Sequence, residues 1–302
     1  MVWNPSEGFD LGFITLRFYS LMFVVAFGLG WYIMKPIFER DGLSVEKLDN
    51  VFVYTVVATL LGARLGHVFF YDWAYFKNHL LEILLPIRET ADGWEFTGFA
   101  GLASHGAAIV IIIAMIIIKR KKIIDKPLLW ILDRIVIPVA SGAIFVRLGN
   151  FFNSEIVGKE TTSSFGIKFI RDKFTPREAF EKTNISDVND AYKAIETNPQ
   201  FSDVLAEVTP KHPAQLYEAL GYVFVFAILF YMYWKTDARN KQGLLFGTFL
   251  VLLWTVRFIV EYVKESQGGF EESLGLLSTG QWLSIPFVIA GIFFMFRAKK
   301  SA

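Results

Sequence analysis

A chain of 302 residues that is 54% apolar and 17% aromatic, with a positive mean hydropathy, exceeds the apolar share of ordinary soluble domains and points to a membrane protein. Its formal net charge of +1 offers no strongly basic face, so no nucleic-acid partner is expected. Having no cysteine, it has no disulfide framework, thiolate metal site or cysteine nucleophile, and its chemistry falls to His, Arg, Tyr, Asn, Gln and carboxylates.

The N-terminal run MVWNPSEGFDLGF lacks the basic start and apolar core of a cleaved signal peptide, so the first apolar stretch is expected to remain as a span. Crossing a bilayer takes about 20 mostly apolar residues. Seven stretches qualify, at 16–34, 51–71, 98–118, 128–148, 216–234, 244–264 and 280–297. Lys35, Arg40 and Lys47 follow the first; Lys119, Arg120, Lys121, Lys122 and Lys126 follow the third; Lys235, Arg239 and Lys241 follow the fifth; Arg297, Lys299 and Lys300 follow the last. The opposite short connections carry Lys77, Arg88 and Lys264. Since Lys and Arg are retained on the cytoplasmic side, the expected fold is an all-α polytopic membrane protein. It has seven transmembrane helices, the N-terminus outside and the C-terminus cytoplasmic, as one membrane-embedded domain over 1–302. The polar stretch 159–211 between spans four and five is expected to be a periplasmic insert within it, and its Lys and Arg residues do not oppose this, because long loops translocate largely regardless of charge.

A charged residue near the bilayer centre costs about 2.5–3.5 kcal/mol on insertion scales, so each needs a partner, a wet cavity or a function. In this orientation the expensive residues share one depth. Arg17 and Tyr19 open span one, Arg64 lies in the outer half of span two, and Ser104 and His105 begin span three. Span four closes with Arg147, Asn150, Asn153 and Glu155; His212, Gln215, Tyr217 and Glu218 open span five; Arg257 and Glu261 come late in span six; Gln281 opens span seven. Arg147, Asn150 and Ser154 fall at three- and four-residue steps, as do Arg257 and Glu261, so each set can share a helix face. Simpler readings stand beside this one. Arg17 and Lys264 lie where long side chains snorkel to the interface. Arg64 and Glu261 suit ion pairs that hold a bundle together, Tyr71 and Trp73 suit an aromatic belt, His67 and His79 suit the interface, and Asp133 with Arg134 marks the inner end of span four. His105, between Ser104 and Gly106 in an apolar span, is comfortable only with a function or a tight partner.

The run RLGNFFNSEIVG at 147–158 resembles the signature of prolipoprotein diacylglyceryl transferases. Similar motifs follow the family order across the chain: RFYSLMF at 17–23, GARLGHVFFY at 62–71, GLASHGA at 101–107, HPAQLYE at 212–218, RFIVEYVK at 257–264 and LSTGQWLS at 277–284. The resemblance implies transfer of the diacylglyceryl group of phosphatidylglycerol to the thiol of a lipobox cysteine in a prolipoprotein signal peptide, with release of glycerol phosphate. It places the protein in the bacterial inner membrane, among membrane lipids, with the active site toward the periplasm. The thiol belongs to the substrate, and neither a metal nor a cofactor is called for.

Family function carries over to Arg147, Asn150, Gly158, His105, Tyr19 and Arg257. In the implied scheme Arg147 and Arg257 grip the phosphate, Asn150 and Tyr19 add donors, and His105 is the candidate base for the thiol. Glu155, Glu218 and Glu261 orient the arginines, and Asn153, Gln215 and Arg64 complete the substrate-binding layer. Three departures stand out: Leu253 and Trp254 where the pattern has Tyr one turn before the late Arg, Ala107 for the second Gly after the His, and Lys264 for Arg. A transporter of an anionic solute also uses buried arginines, but neither a repeat nor polarity at mid-depth accompanies them here. A non-catalytic receptor or assembly protein with the insert as docking module leaves the polar layer unexplained.

Overall fold

The computed structural model describes every residue except 13, 14, 86, 91, 92, 97–100, 102, 267–274, 276, 301 and 302. Seven helices of 17 residues or more stand among the described residues: α1 Phe18–Arg40, α2 Val45–Phe70, α3 Ser104–Arg120, α4 Leu128–Phe152, α5 Ala214–Lys235, α6 Leu244–Val260 and α7 Thr279–Arg297. By length and composition α1, α2, α4, α5 and α7 are able to cross a membrane, whereas α3 and α6 have 17 residues each. At about 1.5 Å per residue those two reach about 26 Å. The all-α expectation needs one qualification: among the described residues four two-stranded sheets, none closed, accompany the helices.

Local chemistry sets the helix ends. The second helix starts at Val45 rather than 51 because the Ser44 hydroxyl accepts from the Lys47 N–H at 3.4 Å and caps it. In α7 a capping box joins Ser278 and Gln281. The sixth helix stops at Val260 instead of 264, its last residues forming a turn through Val263. Residues 98–100 and 102, expected to begin span three, lie outside the described residues.

The chain divides into two compact units, Met1–Ile33 with Asp133–Ala302, and Met34–Leu132. In the smaller unit α2 and α3 pack so closely that a Cβ on Gly62 would stand 2.6 Å from the Gly106 carbonyl, and one on Gly66 2.7 Å from the Gly106 Cα. Small residues at such crossings let backbones approach where apolar burial gives little drive. The Ala103 N–H also donates to the Ala63 carbonyl at 2.9 Å.

In the larger unit the inner end of α4 does more than mark an interface. Asp133 is fully buried and accepts from the N–H groups of Gly243 at 2.7 Å and Phe246 at 2.8 Å, so it caps the start of α6. Its neighbour Arg134 donates to the Arg239 carbonyl at 3.2 Å and lies over the Tyr233 ring. Residues 159–211 form a small helical layer around Ile170, Phe174, Ala191, Tyr192 and Ile195. Val2–Trp3 pairs in parallel with Lys168–Phe169, and the Trp3 indole donates to the Phe151 carbonyl at 2.9 Å. Burial disfavours the charge on Lys211, but Asp172 at 2.7 Å and Glu265 at 2.8 Å outweigh it and hold its pKa above the ordinary lysine value.

Candidate active site

The signature residues at the end of α4 meet the start of α5 in one connected polar network. Arg147 is buried; its Nε forms an ion pair with Glu218, itself only 1% exposed, and its Nη1 donates to Asn150 Oδ1 at 3.1 Å. Asn150 in turn donates to Glu155 Oε2 at 3.5 Å, and Asn153 to Glu155 Oε1 at 3.1 Å. The chain then leaves the helix with Ser154 at φ 56° and Ile156 at φ 59°. Left-handed backbone is unfavourable for a β-branched residue by about 1–3 kcal/mol, and such strain concentrates at functional sites. The turn carries the Glu155 carbonyl to the Gln215 side-chain amide, which donates to it at 2.5 Å. Ion pairing between α4 and α5 therefore fixes one edge of the Arg147 guanidinium. Breaking such a buried pair from one side costs about 3–5 kcal/mol, because it strands the other charge.

Gly158 is held by backbone geometry. Its N–H donates to the His212 carbonyl at 2.8 Å, and the Lys159 N–H donates to Val263 at 2.7 Å, so the signature loop is stitched to both α5 and the end of α6. A Cβ at Gly158 would lie 2.6 Å from the His212 Cβ, the His212 carbonyl and the Val263 carbonyl. Gly158→Ala is therefore expected to lower the thermal unfolding midpoint in detergent and activity together. Unchanged melting and unchanged activity in the purified variant would refute this packing account.

On the other side of the unit, Glu261 follows α6 and is 6% exposed; its carboxylate is met by Lys264 Nζ at 3.3 Å and lies against Gly280 of α7. Lys264 is 5% exposed, so it is a buried partner and does not snorkel to the interface. Arg257 is half-buried, with its guanidinium carbon 5.6 Å from the Trp254 ring, which stacks on Phe287 at 4.2 Å. An aromatic thus stands beside the late Arg despite the missing Tyr. Tyr19 of α1 is half-buried, and its ring lies where a Cβ on Gly149 would come within 2.9 Å.

The larger unit thus holds Tyr19, Arg147, Asn150, Asn153, Glu155, Gly158, Gln215, Glu218, Arg257 and Glu261. Arg64 and His105 belong to the smaller one. There Arg64 donates to the carbonyls of Ile83 at 2.9 Å and Glu82 at 2.5 Å, and Tyr75 donates to the Glu82 carboxylate at 2.7 Å, which suits a structural role for that arginine. His105 is half-buried in the first turn of α3, beside the close crossing at Gly106. Sequence reasoning missed Tyr222, which is 3% exposed and donates to Glu218 Oε2 at 3.4 Å. Its position four residues after Glu218 on α5 is the signal that was available.

The family model described as prolipoprotein diacylglyceryl transferase matches residues 7–297. The phosphatidylglycerol–prolipoprotein diacylglyceryl transferase of Bacteroides fragilis is 35% identical over 300 residues, covering 99% of this chain and 95% of that protein. The protein of the same name from Tolumonas auensis is 36% identical, covering 99% and 98%. A third, from Porphyromonas gingivalis, is 39% identical over 289 residues, covering 94% and 89%. With long apolar helices, a signature network built between two of them and matches over nearly its full length, the chain is a multi-pass membrane protein and belongs to the prolipoprotein diacylglyceryl transferase family.

Proposed function

We propose that this transferase moves the diacylglyceryl group of phosphatidylglycerol to the thiol of the lipobox cysteine of prolipoproteins, releasing glycerol phosphate in the first step of bacterial lipoprotein maturation. The observation that carries this reading is the buried Arg147, which pairs with Glu218 and is joined through Asn150 to Glu155, so that the family signature aims an arginine. The thiolate sulfur bonds to the glycerol carbon of the diacylglyceryl group, the carbon–oxygen bond to phosphate breaks, and the oxygen keeps the electron pair.

Arg147, fixed by Glu218 and Asn150, presents its remaining edge to the phosphodiester, and Arg257 over Trp254 supplies a second positive charge for the leaving phosphate. Tyr19 and Asn153 add polar contacts, Glu155 and Glu261 set the arginine and lysine positions, and His105 takes the thiol proton. Residues 1–302 make one membrane-embedded catalytic domain in seven spans, with residues 159–211 on the periplasmic side of the inner membrane. The Lys and Arg of the alternate loops support that orientation.

Purified protein mixed with phosphatidylglycerol and a lipobox peptide is expected to give a covalent thioether product, seen as a mass increase of one diacylglyceryl group. Flux of an anionic solute in liposomes without that product would favour a transporter instead. A reporter active only outside the cytoplasm is expected to work when fused after residue 185 and to fail after residue 122; the reverse would overturn the location of the site.

A further inference from the structure

Gln215 and Glu218 stand one helical turn apart on α5, and each uses only part of its polar end. The Gln215 amide nitrogen donates to the Glu155 carbonyl, while Glu218 Oε2 meets Arg147 and the Tyr222 hydroxyl. The second oxygen of each, Gln215 Oε1 and Glu218 Oε1, is buried and meets no donor among the described residues. Both residues are 1% exposed, so bulk water does not supply one. Buried acceptors are nearly always satisfied, and a pair left open beside a functional arginine calls for an explanation.

Their chemistry narrows the ligand. Next to a phosphate held by Arg147, a bare carboxylate or amide oxygen repels the phosphate oxygens and is favourable toward a part of the ligand that carries hydrogen-bond donors, which in the head group of phosphatidylglycerol are its hydroxyls. Taking the transferase reading as given, we infer that Gln215 Oε1 and Glu218 Oε1 accept hydrogen bonds from the hydroxyls of the donor lipid's head-group glycerol, so that the site selects a polyol phosphodiester. As the thioether forms and the carbon–oxygen bond to phosphate breaks, these hydroxyls leave with the phosphate as glycerol phosphate. The two oxygens therefore read the leaving group, and Arg147 reads its charge.

The test compares phosphatidylglycerol with phosphatidylpropanol of the same acyl chains, in the same mixed micelles, with wild-type enzyme and a lipobox peptide. Both lipids carry one negative charge, and only the hydroxyls differ. Their loss is expected to lower kcat/KM about 10- to 100-fold, since a site built around hydroxyls is left with unpaired acceptors when they are absent. In Gln215→Met the ratio between the two lipids is expected to narrow at least about threefold, since one acceptor is gone. Equal turnover of the two lipids by the wild type would overturn the inference, leaving the oxygens to internal water, while the transferase reading stood. Absence of thioether product from phosphatidylglycerol itself would overturn that reading, and the inference with it.

Discussion

Arg147→Lys is expected to insert and melt close to wild type yet lose about 10²- to 10³-fold in kcat/KM, the loss typical of removing one pre-aimed donor from a developing oxyanion. The guanidinium uses Nε for Glu218 and Nη1 for Asn150, two directions fixed in one plane, so its third nitrogen points where those two bonds dictate. An ammonium keeps the charge that compensates buried Glu218 but makes no planar fork. Charge is retained and aim is lost, which separates geometry from electrostatics. Arg147→Ala tests something else, because it strands Glu218 at 1% exposure. Thioether kinetics on detergent-purified Arg147→Lys, with its unfolding midpoint measured alongside, decide the matter. Full activity in that variant would remove the bidentate account.

His105→Gln is expected to lower turnover at pH 7 by about 10²- to 10⁴-fold, the range over which a positioned base contributes. Its rate should then climb with pH, because thiolate forms unaided as the solution approaches the free thiol's pKa of about 8.5. The wild type, if His105 is the base for the thiol, should show a flatter profile over the same range. Lipid binding should change little, since the proposed phosphate contacts lie with Arg147 and Arg257. Weakened lipid binding with no recovery at higher pH would make His105 a binding or packing residue, a reading its place beside the Gly106 crossing also suits.

What the sequence makes legible here is depth. Charges inside apolar runs stand out, and the loop cations give the runs an expected orientation, from which a polar layer is proposed. Partnerships are another matter. That Arg147 pairs with Glu218 across two helices depends on packing, which helical spacing within one segment does not encode. Lys264 looks like an interfacial cation because it sits at the end of an apolar run, yet the turn after Val260 folds it back onto Glu261. Asp133 looks interfacial for a similar reason, although its acceptors are spent on the first N–H groups of another helix. Tyr222 passes for an ordinary aromatic of a span. The two-residue strands at Val2–Trp3 and Lys168–Phe169 are too short to carry any alternation.

Those short strands have a consequence for counting. Two segments hydrogen-bonded to each other outside the lipid lie on the same side of the bilayer, so the number of crossings between them is even. Between Val2–Trp3 and Lys168–Phe169 run α1, α2, α3 and α4. With the three longer helices crossing, parity holds only if α3 crosses too, whatever its 17 residues suggest. The same rule acts twice on α6: Lys159 bonds to Val263 across α5 and α6, and Lys241–Gln242 pairs with Lys299–Lys300 across α6 and α7. In each case one partner helix is long enough to cross by itself, and if it does, an even total requires α6 to cross with it. Three small backbone contacts thus support the proposed seven crossings by a route separate from the lysines and arginines, through arithmetic modulo two.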